Sequence, residues 1–127
     1  MILEFNKSMS DVRGTILFCS YGKLTINFVY TKKGFSRGGH YHNFKSDHIL
    51  LKGKIEFKKL NLDTNVENSS LLCAPCNVSV ESKTAHLLTS LSDSLFIEYF
   101  NTKYSAINYL PYRKVVTEKI KNMIKYS

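Results

Sequence analysis

The sequence lacks the features that mark membrane and secreted proteins. No run of apolar residues approaches the roughly 18 that a membrane-spanning helix requires. The first residues, Met1 to Lys7, lack the basic start and the long apolar stretch of a signal peptide. We therefore predict no membrane span, and a cytoplasmic location is the expectation that follows.

Cysteine is scarce and odd in number, since the chain contains only Cys19, Cys73 and Cys76. An odd count without a signal peptide argues against a disulfide framework. Cys73 and Cys76 have the spacing of a redox motif but lack the strand-then-helix context that would lower a thiol pKa. A zinc site of this kind would need a second cysteine pair. We interpret the two residues as ordinary thiols beside a turn.

Acidic residues are few relative to basic ones. Eighteen Lys and Arg stand against ten Asp and Glu, which gives a formal net charge of +8 at pH 7. This balance favours anionic partners, such as phosphosugars, nucleotide-sugars or nucleic acid. Because the sequence contains no recognition motif for nucleic acid, that partner is disfavoured and a small anionic substrate is expected.

Apolar and polar residues alternate with a period of two along most of the chain. Its 127 residues suit one domain, and 43% of them are hydrophobic, which is ordinary for a globular protein. We count about eight or nine short strands between regular turn signals, a pattern typical of an all-β sandwich or barrel. Residues 1–15 give a mixed signal, and residues 61–70 are predicted as a polar loop. The clearest strand, residues 24–30, places Leu24, Ile26, Phe28 and Tyr30 on one face.

Only near the end of the chain does the spacing of the apolar residues change. Val116, Ile120, Met123 and Ile124 recur at the spacing of an amphipathic helix that begins near Pro111. We found no internal repeat and no low-complexity linker. The sequence therefore predicts an all-β barrel over residues 1–110 and a short helix over residues 111–127 of the same domain.

The histidines are concentrated in one stretch. His40, His42 and His48 fall within nine residues, and the fourth histidine is His86. Successive side chains of a strand alternate between its faces, so His40 and His42 point the same way and can converge on one ligand. Paired imidazoles commonly bind metal ions or transfer protons. The sequence therefore predicts a functional site at this stretch.

The spacing around these histidines resembles a known motif. Gly34 is followed by five residues and then by His40-Tyr-His42, and Gly53 comes after the next strand. This order resembles the first motif of the cupin superfamily. His86 resembles the histidine of the second motif, although the Pro-x-Gly turn of that motif is absent. The resemblance covers roughly residues 11 to 100 and implies a double-stranded β-helix, or jelly-roll barrel.

A finer resemblance starts at Arg37. The run Arg37-Gly-Gly-His-Tyr-His is similar to a motif of the nucleotide-sugar epimerases and ketoisomerases and of the C-terminal cupin of capsular-polysaccharide reductases. Asp11-Val-Arg-Gly14 resembles an opening turn of the same branch. The resemblance implies that the chain acts on a sugar or nucleotide-sugar, and that it forms a homodimer.

The cupin motif also includes an acidic metal ligand, for which this chain offers two candidates. A four-residue gap after His42 leads to Asp47, whereas strict alternation along the strand turns His48 inward. We therefore keep both in the predicted ligand set, which comprises His40, His42, His48, His86 and Asp47. Such a set suits zinc, iron, manganese or nickel, and a metal-free site is the alternative.

Two further residues are candidates for substrate binding. The guanidinium of Arg37 could hold a phosphate, or it could be a solvated loop group. Glu98 lies on the last predicted strand and either faces the pocket or points to solvent.

The leading functional hypothesis is an isomerase or epimerase that moves a proton next to a carbonyl. His42 or His40 would be its catalytic base, because imidazole titrates near neutral pH. The alternatives are a metal-dependent dioxygenase and a non-catalytic cupin that binds a small molecule.

Overall fold

The computed structural model describes the backbone of residues 1–126 and the side chains of residues 1–122. This part of the chain forms eleven strands followed by one helix. The elements are β1 (Leu3–Asp11), β2 (Gly14–Tyr21), β3 (Leu24–Thr31), β4 (Ser36–Tyr41), β5 (Ser46–Lys52), β6 (Lys54–Asn61), β7 (Val66–Cys73), β8 (Cys76–Val80), β9 (Thr84–Ser90), β10 (Ser94–Phe100), β11 (Ile107–Asn108) and α1 (Leu110–Tyr126).

The strands form two antiparallel sheets that face each other. The six-stranded sheet has the order β1-β2-β3-β10-β5-β8, and the five-stranded sheet has the order β11-β4-β9-β6-β7. Buried apolar side chains from both sheets meet between them and exclude water. The predicted all-β jelly-roll barrel is therefore confirmed. The core residues are Val29, Leu50, Ile55, Phe57, Val80, Leu88 and Phe96.

The helix α1 covers the outer side of the five-stranded sheet. Its residues Tyr112 and Val116 are buried against Leu60, Ala85 and Leu87. The helix begins at Leu110, so the predicted boundary was one residue late. The predicted apolar positions Met123 and Ile124 lie outside the side chains that the structure describes.

No helix in the described part of the chain is long and apolar enough to cross a membrane. The cytoplasmic location stays a prediction.

The strand β1 and most of β7 were not predicted from the sequence. Every residue of β1 is exposed, and the strand is held by antiparallel pairing with β2. The polar segment Val66–Cys73 forms β7 at the edge of the five-stranded sheet, where most of its side chains face solvent. Both strands lack an apolar face because they are edge strands, so their composition resembles that of a loop.

The strand β3 has its larger apolar side chains on the outside of the barrel. Leu24, Ile26, Phe28 and Tyr30 share one face, as predicted, but each is only partly buried. The inward face of the same strand carries Asn27, Val29 and Thr31, all of them buried. The six-stranded sheet therefore has an interior that is partly polar and an exterior that is mostly apolar.

Candidate metal centre and cavity

Three of the four histidines converge on one point inside the barrel. His40 on β4 and His86 on β9 are direct register partners, and His42 follows directly after β4. The possible ligand atoms of His40, His42 and His86 all lie within 4.8 Å of one another. Three imidazoles at this separation can bind a single divalent ion.

Two glycines shape β4 just before the histidines. Gly38 and Gly39 have φ angles of 94° and 78°, in the left-handed region that favours glycine. The register with β9 shifts between Gly38 and His40, which marks a bulge. A Cβ on Gly39 would lie 2.8 Å from the Cα of Arg113, so the missing side chain lets the start of α1 approach the strand. The bulge thus places His40 opposite His86.

Main-chain carbonyls orient two of the imidazoles. The Nδ1 of His42 lies 2.6 Å from the carbonyl oxygen of Ser105, and the Nδ1 of His86 lies 3.2 Å from that of Thr84. Because a carbonyl only accepts hydrogen bonds, each Nδ1 must carry the hydrogen and donate it. The Nε2 of each ring therefore keeps its lone pair, as metal-binding histidines require.

The protonation states also suit a metal ion. Burial, together with the charges of neighbouring histidines, lowers the pKa of His40 to about 4 and that of His86 to about 3. Both rings are therefore neutral at pH 7, the form that coordinates metals. The chemistry of this donor set fits a divalent ion held by His40, His42 and His86.

His48 faces the interior but makes a different contact. Its side chain is buried, and its Nε2 lies 3.4 Å from Oε2 of Glu98. Its ring centroid lies 6.1 Å from that of His86, so it is adjacent to the three-histidine group. The Nε2 that would bind a metal is directed at the carboxylate instead.

Asp47 lies on the opposite side of β5. Its Oδ1 accepts a hydrogen bond of 2.6 Å from Ser79 on the outer face of the sheet. The pairing of β5 with β10 is regular from Ile49 to Asp47, so alternation directs His48 inward and Asp47 outward. The prediction that Asp47 could complete the metal site is therefore wrong.

Glu98 points into the barrel rather than to solvent. Its side chain is 15% exposed. Burial alone would raise the pKa of Glu98, but the hydrogen bond from His48 and nearby histidine charges outweigh burial and lower the pKa to about 2. The carboxylate is therefore ionised at neutral pH.

Asn27 on the neighbouring strand β3 completes this arrangement. Its Nδ2 donates to Oε1 of Glu98 at 3.3 Å. Since a carboxylate only accepts, this contact fixes the amide orientation and leaves Oδ1 of Asn27 as a free acceptor. That oxygen is buried and has no partner in the part of the chain that the structure describes. Asn27 lies two residues before Val29 and therefore on the same inward face of β3. This spacing was the sequence signal that could have identified Asn27.

These groups surround a cavity of about 570 Å³ between the two sheets. This volume suits a small organic molecule. His40, Asn27 and Glu98 border it, together with apolar groups such as Phe96 and Phe100. One metal candidate, His40, and the acidic group Glu98 therefore border the same cavity, which also has apolar lining residues.

Arg37 contributes a buried positive charge to this cavity. Its side chain is 6% exposed, and it donates to Oγ1 of Thr31 at 3.0 Å and to the carbonyl of Tyr30 at 3.2 Å. Burial lowers the pKa of Arg37 to about 10, and the nearby charge of Arg13 adds to this effect. The group stays charged at pH 7, and these hydrogen bonds to neutral oxygens do not neutralise it. Arg37 is therefore a buried residue of β4 and not a solvated loop arginine.

Further basic residues that the sequence analysis did not select border the same cavity, namely Lys7, Arg13 and Arg113. Arg13 is paired with Asp11 at 2.7 Å, and Arg113 donates to the carbonyl of Gly38 at 3.1 Å. They come from β1, from the β1–β2 turn and from α1, far from the histidine motif in sequence. Only the fold brings them to the site.

Comparison with known proteins finds similar structures but no match to the sequence. No family model matches the sequence, and no curated protein matches it. The capsular polysaccharide assembling protein CapF from Staphylococcus aureus is similar in structure, with a TM-score of 0.67 and 17% identity. The match covers 83% of this chain and 30% of that one. CapF has also been crystallised with the inhibitor 3-isopropenyl-tropolone.

Oxalate decarboxylases are similar to the same part of the chain. The Bacillus subtilis enzyme, whose Mn(II) centres have been studied, has a TM-score of 0.71 and 15% identity over 81% of this chain and 30% of its own. The Lactobacillus farciminis enzyme, solved as a formate complex, has a TM-score of 0.71 and 15% identity over 80% of this chain and 33% of its own. The chain thus spans about a third of the length of the proteins it matches. These proteins are cupins, and the likeness shows that this chain has the cupin fold.

Proposed function

We propose that this cupin is an isomerase or epimerase of a sugar or nucleotide-sugar and that its site binds a divalent metal. One observation carries the proposal. His40 belongs to the three-histidine group and also borders the cavity that contains Arg37 and Glu98. A metal candidate, a buried cation and an ionised carboxylate therefore face one ligand-sized space.

His40, His42 and His86 would hold the metal, and zinc, iron, manganese and nickel all accept such ligands. A bound ion would supply Lewis-acid polarisation of a substrate carbonyl. The neutral rings of His40 and His86 and the free Nε2 atoms of His42 and His86 support this assignment. The fourth predicted histidine, His48, would instead keep Glu98 in position.

The cavity wall would supply substrate recognition. Arg37 would bind an anionic group, such as the phosphate of a phosphosugar or nucleotide-sugar, because its charge is buried and its own hydrogen bonds reach only neutral oxygens. Glu98 would accept a hydrogen bond from a substrate hydroxyl. The free Oδ1 of Asn27 lies beside it as a second acceptor.

Proton transfer by His40 or His42 is the metal-free version of this proposal. His40 is the better placed of the two, since it borders the cavity, whereas His42 is stacked on Phe44 with a centroid distance of 4.7 Å. A nitrogen that binds a metal cannot also take a proton. The metal-bound and metal-free versions therefore assign His40 mutually exclusive roles.

The test combines metal content with proton exchange. Elemental analysis of the purified protein should find about one metal per chain, and His40→Ala should lower it. The protein should then exchange a carbon-bound hydrogen of its substrate for solvent deuterium when tested on a panel of nucleotide-sugars and phosphosugars. Activity that survives metal removal supports the metal-free version. Lack of exchange under both conditions contradicts the isomerase proposal.

A non-catalytic binding protein is the second candidate, and one observation favours it. The lowered pKa values of His40 and Glu98 make both groups weak proton acceptors. If His40→Ala and Glu98→Gln both retain ligand affinity and biological effect, the chain is a binding module.

A metal-dependent dioxygenase is the third candidate, since three histidine ligands leave positions open for oxygen. Oxygen uptake after anaerobic iron loading would identify it.

A further inference from the structure

A six-residue segment beside the cavity joins the two sheets. Residues 101–106, named here the strap, run from β10 in the six-stranded sheet to β11 in the five-stranded sheet. Every residue of the strap is exposed. Nevertheless, Tyr104 and Ala106 border the cavity, as does Asn108 on β11. The strap therefore forms part of the cavity wall although none of its residues is buried.

The strap also contacts the three-histidine group. The carbonyl oxygen of Ser105 lies 2.6 Å from Nδ1 of His42 and accepts its hydrogen bond. Just after the strap, Asn108 on β11 is the register partner of His40. Among the residues that the structure describes, the contact with His42 is the one hydrogen bond from residues 101–106 to the rest of the chain. The strap is therefore tethered, between its two ends, by a candidate metal ligand.

Four aromatic rings surround this tether. The ring of His42 is stacked on Phe44 with a centroid distance of 4.7 Å, and it lies 5.3 Å from the ring of Tyr104. Phe100 closes the circle, because its centroid lies 5.3 Å from that of Phe44 and 5.6 Å from that of Tyr104. Aromatic rings attract each other at such separations. The packing of Tyr104 thus holds the strap against the ring of His42.

Metal coordination by Nε2 of His42 would strengthen the tether. Coordination withdraws electron density from the imidazole, so Nδ1–H becomes a stronger donor to the carbonyl of Ser105. It also fixes the plane of the ring against which Tyr104 packs. Both effects favour the position of the strap in which Tyr104 and Ala106 line the cavity. By linkage, contacts that hold the strap in this position strengthen metal binding by the same factor.

We propose that the strap couples metal binding at the three-histidine group to closure of the cavity wall, with Tyr104 as the positioning residue. This inference rests on the metal site proposed above. Without metal the barrel persists, but the wall formed by the strap is held only at its two ends and by a weaker tether. Metal therefore binds before the substrate, because the substrate meets a complete cavity only in the metal-loaded protein.

Limited proteolysis measures the strap directly and needs no substrate. Trypsin cleaves after exposed lysines, and Lys103 is an exposed residue of the strap. Saturating Zn²⁺ should slow cleavage after Lys103 at least ~10-fold, a common size for the coupling between two sites. Mass spectrometry identifies the cleaved bond.

Cleavage after Lys33 is the internal control. Lys33 is exposed and follows Thr31, which pairs with Ser94 at the start of β10, whereas the strap follows the end of β10 at Phe100. The two ends of this strand are about 20 Å apart. Zn²⁺ should leave cleavage after Lys33 unchanged. Equal protection of Lys33 and Lys103 would show a general stabilisation and would contradict the proposal.

Two substitutions at Tyr104 complete the test. Tyr104→Ala removes the ring from a side chain that is 49% exposed, so the protein should still fold, as circular dichroism can verify. This variant should bind Zn²⁺ ~10-fold more weakly in calorimetric titration and should lose most of the protection of Lys103. Tyr104→Phe keeps the ring and should retain both the affinity and the protection.

Two results would overturn the strap proposal and leave the metal site intact. In the first, the wild type binds Zn²⁺ but Lys103 is cleaved at the same rate with and without the ion. In the second, folded Tyr104→Ala keeps both the affinity and the protection of the wild type. A wild type that binds no Zn²⁺ contradicts the strap proposal and the metal site together, and the calorimetric titration separates this failure from the other two.

Discussion

His48 and Glu98 are direct register partners on the neighbouring strands β5 and β10, and Nε2 of His48 lies 3.4 Å from a carboxylate oxygen of Glu98. The two side chains therefore form a buried pair, in which Glu98 borders the cavity and the ring of His48 lies beside that of His86. A charge in this environment is retained only if it is paired. Each member of the pair thus depends on the other.

Glu98→Gln should destabilise the metal-free protein by about 1–3 kcal/mol, because the hydrogen bond from His48 loses its charged acceptor. Urea unfolding at pH 7 measures this change. Glu56→Gln on β6 is the control, since that side chain is 36% exposed and should change stability by less than about 0.5 kcal/mol. Equal effects of the two substitutions would contradict the buried pair.

The variants His42→Asn and His48→Asn should distinguish a residue that binds the metal from one that only lies beside the metal site. Both side chains are buried, so the two variants carry similar structural costs. His42→Asn should weaken zinc binding by at least about 100-fold, whereas His48→Asn should weaken it by about 10-fold or less. Calorimetric titration with Zn²⁺ measures both affinities. The assignment of His42 to the three-histidine group would be overturned if the order of the two effects were reversed.

The metal-free protein should lose stability on mild acidification. The pKa values of His40 and His86 fall to about 4 and about 3 in the folded state. An unfolded histidine titrates near pH 6.5, so the unfolded chain binds these protons first. The contribution of the two neutral histidines to the free energy of unfolding is therefore fully present above about pH 6.5. It is lost as the pH falls toward the pKa values of the folded state.

Unfolding by urea at pH 7 and at pH 5, after removal of metal with a chelator, measures this loss. We expect a decrease of about 1–2 kcal/mol for each buried histidine. His86→Asn should reduce the pH dependence, because it removes one of the two titrating rings. An unfolding free energy that is the same at both pH values would disagree with burial as the cause of the lowered pKa.

Gly39→Ala should destabilise the protein more than Gly34→Ala. Both residues have a left-handed φ, 78° at Gly39 and 93° at Gly34, so each substitution costs about 1–2 kcal/mol of backbone strain. At Gly39 the new Cβ would also lie 2.8 Å from the Cα of Arg113, whereas nothing lies within 4 Å at Gly34.

Thermal unfolding followed by circular dichroism compares the two glycine variants. Gly39→Ala should also weaken metal binding, because relief of the contact moves β4 and with it His40. If the two variants unfold at the same temperature, the close approach of α1 to β4 is not a constraint on the site.

The histidine spacing predicted most of the fold and the centre of the site. His40 and His42 share a face because of strand alternation, and the cupin resemblance predicted that His86 would join them. Whether Asp47 or His48 faces the interior as a candidate metal ligand depended on the loop after His42, because a loop can reset the alternation of side chains along the next strand. The local sequence does not determine that effect of the loop. The pairing of β5 with β10 turns His48 inward and Asp47 outward, and Nε2 of His48 then faces Glu98 rather than the three-histidine group.

The cavity wall was less predictable. Asn27, Arg13 and Arg113 reach the site from β3, from the β1–β2 turn and from α1, and none lies near the histidine motif in sequence. Their roles depend on long-range pairing rather than on local pattern. The exposed strand β1 and most of β7 were missed for a related reason, since their pairing with β2 and β6 replaces the apolar face that a sequence pattern would reveal.

The orientation of His42 depends on the main chain of Ser105 rather than on a side chain. Every amino acid carries the same carbonyl group, so position 105 should accept almost any residue without disturbing the ring. A change in the length of the segment between β10 and β11 would instead withdraw the acceptor altogether. Evolution can therefore alter the residue at position 105 freely, while insertions and deletions in this segment should be selected against.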